Sequence, residues 1–468
     1  MFFGRNSELG KLNEMYNSGR FELAVIYGRR RVGKTTLIRE FVKDKNALFF
    51  AASESTAQDN LLALSRCIGG KNTAPVFTDY ESALSAVFEK ATGERFVFVV
   101  DEFPYLAAAY RGVSSLLQIL IDHNRGNSRL MLILCGSSMS FMENQVLGYQ
   151  SPLYGRRTAQ FKVLPFTFFE SLPFFESYET IDKAVLYGMT GGIPEYLSKI
   201  NPQKSVRDNC IDLFLTPSGH FFEEPSNLIK QELREPSTYN VIVEAIASGA
   251  SRLNEISTKC GLESNKCAKY LKALMSLGLV SREYPFGETA GKKSIYKLED
   301  FMFRFWYRFV FPNMSAVVAG LGEAVFDHEI DGQLNAYMGL IFEEICKQWL
   351  FEMARRNSLP FFIGSLGRWW GTNPATKKQE EIDIVAARGE DALFAECKWT
   401  NADVDLDVYE ALIRRSELFH YNHRHLYIFS KNGFSTKLLC FEYEKKLLKL
   451  FSLLEMMEAL HGGETVVR

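Results

Sequence analysis

The sequence predicts a multidomain α/β protein: a parallel sheet layered by helices, then a compact helical unit with a β-hairpin, then a second α/β domain. Three observations predict it. The phosphate-binding pattern Gly28-Arg29-Arg30-Arg31-Val32-Gly33-Lys34-Thr35 stands between a buried strand and a helix. Helical periodicity between Tyr239 and Leu277 runs into a hairpin-like stretch from Val280 to Leu298. Two apolar, acid-bearing segments, 381–387 and 393–399, flank the turn Arg388-Gly389-Glu390-Asp391. A chain of 468 residues, 47% apolar and 24% charged, has room for two to four ordinary globular domains.

The amino-terminal elements follow in order. Gly4-Arg5-Asn6-Ser7-Glu8-Leu9 opens a short helix, Leu23-Ala24-Val25-Ile26-Tyr27 is a buried strand, and residues 36–43 are the helix after the loop. Such a loop turns backbone N–H groups toward the phosphates of ATP, Lys34 reaches the β- and γ-phosphates, and the Thr35 hydroxyl joins a Mg²⁺ shell. Gly28, Arg31, Gly33, Lys34, Thr35 and Thr36 are therefore predicted nucleotide-binding residues. Residues 47–52 form a second strand, and 57–67 and 80–91 form helices.

Phe96-Val97-Phe98-Val99-Val100 reads as a strand covered on both faces and ends in Asp101-Glu102, with two strand–helix units between the phosphate loop and this acid pair. Asp101 holds the Mg²⁺ shell on this reading. Glu102, one residue further into the crevice, orients or deprotonates the attacking water. Residues 131–135 form another strand, whose end brings Ser137 or Ser138 toward the γ-phosphate; a helix cap is the other reading of Ser138. Residues 161–164 close the sheet. Just before them, Arg156 or Arg157 offers a planar, permanent cation for the charge that develops in γ-phosphoryl transfer, within one chain or across a subunit boundary; a solvated basic turn is the alternative.

A formal charge of -2 argues against a uniformly basic nucleic-acid coat while leaving room for a local patch. No apolar stretch reaches membrane-spanning length, and Met1-Phe2-Phe3-Gly4-Arg5 leads directly into a polar helix, so a cytoplasmic protein without membrane contact is expected. The eight cysteines are scattered without zinc spacing and are expected to be reduced and mostly buried.

Gly4-Arg5 with Glu8, the phosphate loop, the Asp101-Glu102 strand end, Leu153-Tyr154-Gly155-Arg156 and Gly191-Gly192-Ile193-Pro194-Glu195-Tyr196-Leu197 together resemble the prokaryotic and archaeal ATPase family related to AAA+ and STAND NTPases. The resemblance covers residues 1–233. It implies a core in which one strand separates the acid-bearing strand from the phosphate-loop strand, then a helical lid entered at Gly191. It also implies that Glu102 is the catalytic glutamate and Arg156 the family's arginine, with a homo-oligomer through this core as the assembly an arginine in trans requires.

Residues 239–247, 253–260 and 265–277 have helical periodicity, and with the following hairpin they fit a winged-helix unit. Lys266, Lys269 and Lys272 recur at spacing three. That stripe can contact DNA phosphates, with Arg282, Lys292 and Lys293 of the wing adding charge, or it can be the solvated face of an arm packed on the ATPase.

In the carboxy-terminal part, strand period two puts Glu396 and Lys398 on one face, beside Asp383 if the hairpin is in register. Two carboxylates can hold Mg²⁺ at a phosphodiester while a lysine orients water; a surface hairpin with a Glu–Lys ion pair is the plain alternative. The constellation resembles the PD-(D/E)xK nuclease superfamily over residues 301–451. The resemblance makes Asp383 and Glu396 metal ligands and Lys398 the lysine of the E-x-K pair. Glu343, in the helical segment 339–351, matches the helix acid, with Glu344 as the alternate. Ile382 replaces the superfamily's proline.

These readings divide the chain into an ATPase core (1–190), a helical lid (191–235), a winged helix (236–300), a helical connector (301–330) and a nuclease-like domain (331–468). The function they imply is an ATPase coupled to a Mg²⁺-dependent nuclease acting on nucleic acid, DNA foremost. The competing function is an ATP-switched module whose last domain docks protein or nucleic acid without cutting.

Overall fold

The computed structural model describes residues 2–69, 77–291, 293–444 and 447–461, arranged in two compact units. The first comprises Met1–Pro165 with Ile193–Glu195, and the second Phe166–Gly192 with Tyr196–Arg468. Lys292 of the wing stripe lies outside the described residues.

The first unit is built on a five-stranded parallel sheet in the order β2-β3-β4-β1-β5. Its strands are β1 (Glu22–Tyr27), β2 (Ala47–Ala51), β3 (Phe96–Asp101), β4 (Leu130–Gly136) and β5 (Ala159–Lys162). β1, β3 and β4 are buried at every residue, as continuous apolar runs covered on both faces must be. Helices α1 (Asn6–Asn17), α2 (Lys34–Val42), α3 (Ala57–Gly69), α4 (Tyr80–Lys90), α5 (Phe103–Ala109) and α6 (Val113–Asn124) complete the layers. β4 separates the acid-bearing β3 from β1, the order the ATPase resemblance implies. The sequence reading placed two strand–helix units between the loop and β3. Among the described residues that interval holds one strand, β2, and the two helices α3 and α4. The closing strand also starts earlier, at Ala159: the Thr158 N–H already donates to the Leu23 carbonyl at 2.9 Å, and Pro165 has no N–H with which to prolong the ladder.

In the second unit, helices α7 (Thr180–Thr190), α8 (Val206–Phe214) and α9 (Glu224–Glu232) precede a three-helix group, α10 (Pro236–Ala247), α11 (Leu253–Lys259) and α12 (Ser264–Ser276). An antiparallel hairpin of β6 (Val280–Glu283) and β7 (Ile295–Leu298) follows. The long α13 (Asp331–Arg355) leads into a second sheet, ordered β12-β11-β10-β9-β8. Its strands are β8 (Gly367–Thr372), β9 (Gln379–Arg388), β10 (Asp391–Lys398), β11 (His423–Ser430) and β12 (Leu448–Ser452). β8, β9 and β10 are antiparallel neighbours, whereas β10, β11 and β12 run parallel and need crossovers. Helices α14 (Leu406–Ser416) and α15 (Thr436–Glu444) supply them, and α16 (Leu453–His461) follows β12.

The hairpin is part of this second sheet's surroundings and does not stand free. The Phe286 N–H donates to the Arg368 carbonyl of β8 at 2.8 Å, and the Phe286 ring packs against the sheet's apolar core. Its charges are used locally: Arg282 Nε donates to Ser294 Oγ at 2.9 Å beneath Tyr284 and Tyr296, and Lys293 pairs with Glu288. Arg282 and Lys293 are thus engaged within the hairpin. Lys266, Lys269 and Lys272 are all exposed on α12. Every described cysteine is free of a disulfide, and Cys135 and Cys397 are buried in strands β4 and β10. Among the described residues no helix is long and apolar enough to cross a membrane.

Candidate functional sites: a phosphate loop and a buried acid cluster

The turn from β1 into α2 requires its glycines. A Cβ at Gly28 would meet the Val163 carbonyl oxygen of the neighbouring chain segment at 2.3 Å, and Gly33 sits at φ 87°, a conformation that costs glycine little. Arg31 also has a left-handed backbone, φ 69°. Lys34 is the first residue of α2 and is buried; its ammonium donates to the carbonyls of Gly28 and Arg29 at 2.9 and 2.8 Å. Burial pushes its pKa down, opposed by the charges of Glu102 and Asp101. A buried cation at a helix start, at the end of a glycine-containing loop, fits the phosphates of a nucleotide.

The β3 end lies across from this helix. Thr35 Oγ1 donates to Asp101 Oδ2 at 2.9 Å, so the two residues expected around Mg²⁺ are adjacent. Glu102 caps α5 in a left-handed backbone, φ 51°, and its Oε2 accepts from both the backbone N–H and the hydroxyl of Ser137, at 3.1 and 3.0 Å. Ser137 follows the buried end of β4, the strand between β3 and β1. Ser138 stands at the N-cap position of the next turn without a side-chain cap bond. Thr36 is exposed on α2. Arg156 meets an acid at the end of α6: Nε and Nη2 form a two-point contact with Asp122, at 2.8 and 2.5 Å, and Nη1 donates to the Pro152 carbonyl. Arg5, part of the motif that carries the family resemblance, is buried beneath the loop with Nη2 on the Val32 and Leu164 carbonyls, whereas Tyr105, whose hydroxyl accepts from Arg30, has no signal in the sequence.

The second cluster is assembled by β9 and β10. Their ladder pairs Arg388 with Asp391 through to Ile384 with Ala395, so Asp383 and Glu396 come next to each other beyond the last pair. Asp383 Oδ2 accepts from the Cys397 N–H at 2.8 Å and lies 3.9 Å from the Lys398 ammonium. Glu396, 2% exposed, accepts from Lys398 at Oε2 (2.6 Å) and from Arg415 of α14 at Oε1 (2.7 Å). Burial pushes Glu396 up, and Asp383 adds to the rise against Lys398 and Arg415. On α13, Glu343 is pushed up to about 8, by burial first and then by Asp383. Its neighbour Glu344 differs: burial opposes ionisation, but the ammonium groups of Lys297 and Lys347, at 2.8 and 2.9 Å, hold it down to about 2.

Glu343, not Glu344, thus faces the acids of the sheet. Among the described residues, however, no three Asp, Glu, His or Cys side chains gather into a metal-holding group. The expected set of Glu343, Asp383 and Glu396 is not closed on a common point: both Glu396 oxygens are paired with cations and one Asp383 oxygen with an amide. Arg415 and Arg368, the latter on β8, were missed from sequence. Arg415 follows Arg414 in an ordinary helical pattern, and β8 itself went unrecognised.

Residues 2–200 match the family of ATPase domains found predominantly in Archaea, and residues 306–410 match a family of archaeal and bacterial proteins of unknown function. The chain is 36% identical over 430 residues to an uncharacterized protein of Methanocaldococcus jannaschii, covering 89% of this chain and 92% of that one. It is 47% identical over 45 residues to an uncharacterized ATP-binding protein of the same organism, covering 10% of this chain and 76% of that one. Among solved structures it resembles the Walker-type ATPase of Pyrococcus abyssi, with a TM-score of 0.50, 20% identity, and coverage of 66% of this chain and 96% of that chain.

Proposed function

Because this chain belongs to the archaeal and prokaryotic family of AAA+-like P-loop ATPases and is an ATP hydrolase, we propose that its hydrolysis of ATP drives a second, Mg²⁺-dependent site that cuts a nucleic-acid backbone, DNA foremost. In the first site Lys34 and the loop N–H groups bind the phosphates, with Gly28, Arg31 and Gly33 shaping the loop and Thr36 extending it along α2. Thr35 and Asp101 would hold Mg²⁺, which would supply charge neutralisation for the nucleotide's phosphates. Glu102 accepts the proton of the attacking water, and Ser137 fixes the carboxylate that does so. Arg156 supplies transition-state charge after leaving Asp122, in a homo-oligomer formed through this unit.

The observation that carries the second activity is the β9–β10 pairing that sets Asp383 beside Glu396 with the Lys398 ammonium between them. On this reading Asp383, Glu396 and Glu343 hold the metal and Lys398 orients water at the scissile phosphate. The domains are the core (1–190), the lid (191–235), the winged helix (236–300), the connector (301–330) and the nuclease-like domain (331–468). The exposed lysines 266, 269 and 272 of α12 support DNA contact by the winged helix. The ion pairs that occupy both Glu396 oxygens favour a second reading, a docking module that does not cut.

Asp383→Ala and Glu396→Ala should each abolish Mg²⁺- or Mn²⁺-dependent cleavage and leave ATP turnover intact. Lys398→Ala should retain more metal than either and still not cut. If no divalent ion binds at the cluster and neither DNA nor RNA is cut with or without ATP, the docking reading takes over.

A further inference from the structure

Two of the cations beside the acid cluster are consumed by its carboxylates. Lys398 donates to Glu396, and Arg415 divides its donors between Glu380 and Glu396. Arg368 is different. Its Nη2 donates to Glu381 Oε2 at 2.8 Å, but that carboxylate is 52% exposed, and the Arg368 Nε is buried with no hydrogen-bond acceptor. A buried charged donor without an acceptor is costly to keep, which points to a ligand that completes it.

The backbone aims this residue at the acids. The β8–β9 ladder shifts register between Gly367–Val385 and Trp369–Ile382, so Arg368 alone stands against Ile384 and Asp383. Irregularities of this type re-aim side chains. The position is also held from behind by the hydrogen bond from Phe286 to the Arg368 carbonyl. Glu343 and Asp383 are among the charges the guanidinium faces.

We propose that Arg368 binds a phosphate of the nucleic-acid strand presented to Asp383, Glu396 and Lys398. The phosphate oxygens take the buried Nε and replace Glu381 at Nη2, in the two-point geometry that guanidinium groups form with phosphate. The assignment rests on the proposed cleavage site and deepens it by naming a substrate contact.

The test uses the full chain with Ca²⁺ in place of Mg²⁺ and a fluorescent 20-nucleotide DNA strand, with affinity measured across a salt series. Arg368→Gln should weaken binding about ten-fold and reduce the slope of log affinity against log salt by about one phosphate contact. Arg368→Lys should recover the slope without full affinity. Glu381→Gln, which removes the negative charge held against Nη2, should tighten binding about three-fold at low salt. With Mn²⁺, Arg368→Gln should raise KM more than it lowers kcat. An Arg368→Gln protein that melts like the parent and keeps its affinity and slope overturns the proposal. Should that variant fail to fold, unchanged affinity in both Arg368→Lys and Glu381→Gln does the same. If the parent cuts nothing but the slope still falls in Arg368→Gln, the cleavage reading fails and the phosphate contact stands.

Discussion

Glu102 carries two features at once: a left-handed backbone that a glutamate rarely adopts, and a carboxylate held by two donors of Ser137. Strained positions persist where surrounding structure over-determines them, and here the Asp101 carboxylate accepts the Glu102 N–H while Ser137 fixes the side chain. Glu102→Gln should therefore keep ATP bound and slow turnover by two orders of magnitude or so, while Lys34→Ala weakens ATP binding as well. Single-turnover hydrolysis separates the two, and comparable turnover in Glu102→Gln and the parent removes Glu102 as the base. Glu343 gives a pH prediction. Its folded-state value of about 8 lies above the ordinary 4.5, so the folded protein holds an extra proton between those values and loses stability as pH rises through that window. Glu343→Gln should raise Tm by several degrees at pH 8.5 and change it little at pH 5; equal shifts at both would show that the acid is not isolated in this way.

At the scale of elements, the close approaches decide what a sequence can vary. A Cβ at Gly192 would lie 1.7 Å from the Phe166 carbonyl oxygen, so Gly192→Ala forces backbone apart and should cost about 1–3 kcal/mol or more in a urea melt. The hairpin and α13 are tied by Lys297 and Lys347 to Glu344 and Glu283. Glu344 is depressed to about 2, so its stabilisation is complete above about pH 4.5 and disappears as pH falls toward 2. Lys297→Met should lower stability at pH 7 by roughly 1–3 kcal/mol and flatten that acid limb. Much of this was legible. β1, β3 and β4 announce themselves as unbroken apolar runs, α12 by its period, and β9 and β10 by their flanking turn. β8, β11, β12 and α14 were not read, since Gly367–Thr372 mixes glycine, arginine and tryptophan, and the parallel crossover depends on partners distant in sequence. The same limit hid Arg368 and Arg415, whose importance comes from what pairs with them.

For the whole molecule, the proposed assembly can be tested without knowing its biological target. If Arg156 acts across a subunit boundary, Arg156→Ala should bind ATP nearly normally and hydrolyse it slowly, and mixing it with Glu102→Gln protein should restore part of the turnover through hybrid sites. A monomer by light scattering with undiminished turnover in Arg156→Ala would exclude that arrangement. The Asp122 contact means that release of the arginine from its exposed partner has only a modest cost, about 1 kcal/mol or less for a surface ion pair.

β8 is the last strand of its sheet, and the hairpin loop lies along it with a backbone hydrogen bond at Arg368. A bare outer strand offers a template for another copy of the chain, which is how folded proteins begin to aggregate. The hairpin loop thus covers that edge, and in the full chain Phe286→Pro, which removes the donor to the Arg368 carbonyl, should increase self-association read by light scattering; an unchanged monomer signal would show that the edge is guarded by other means.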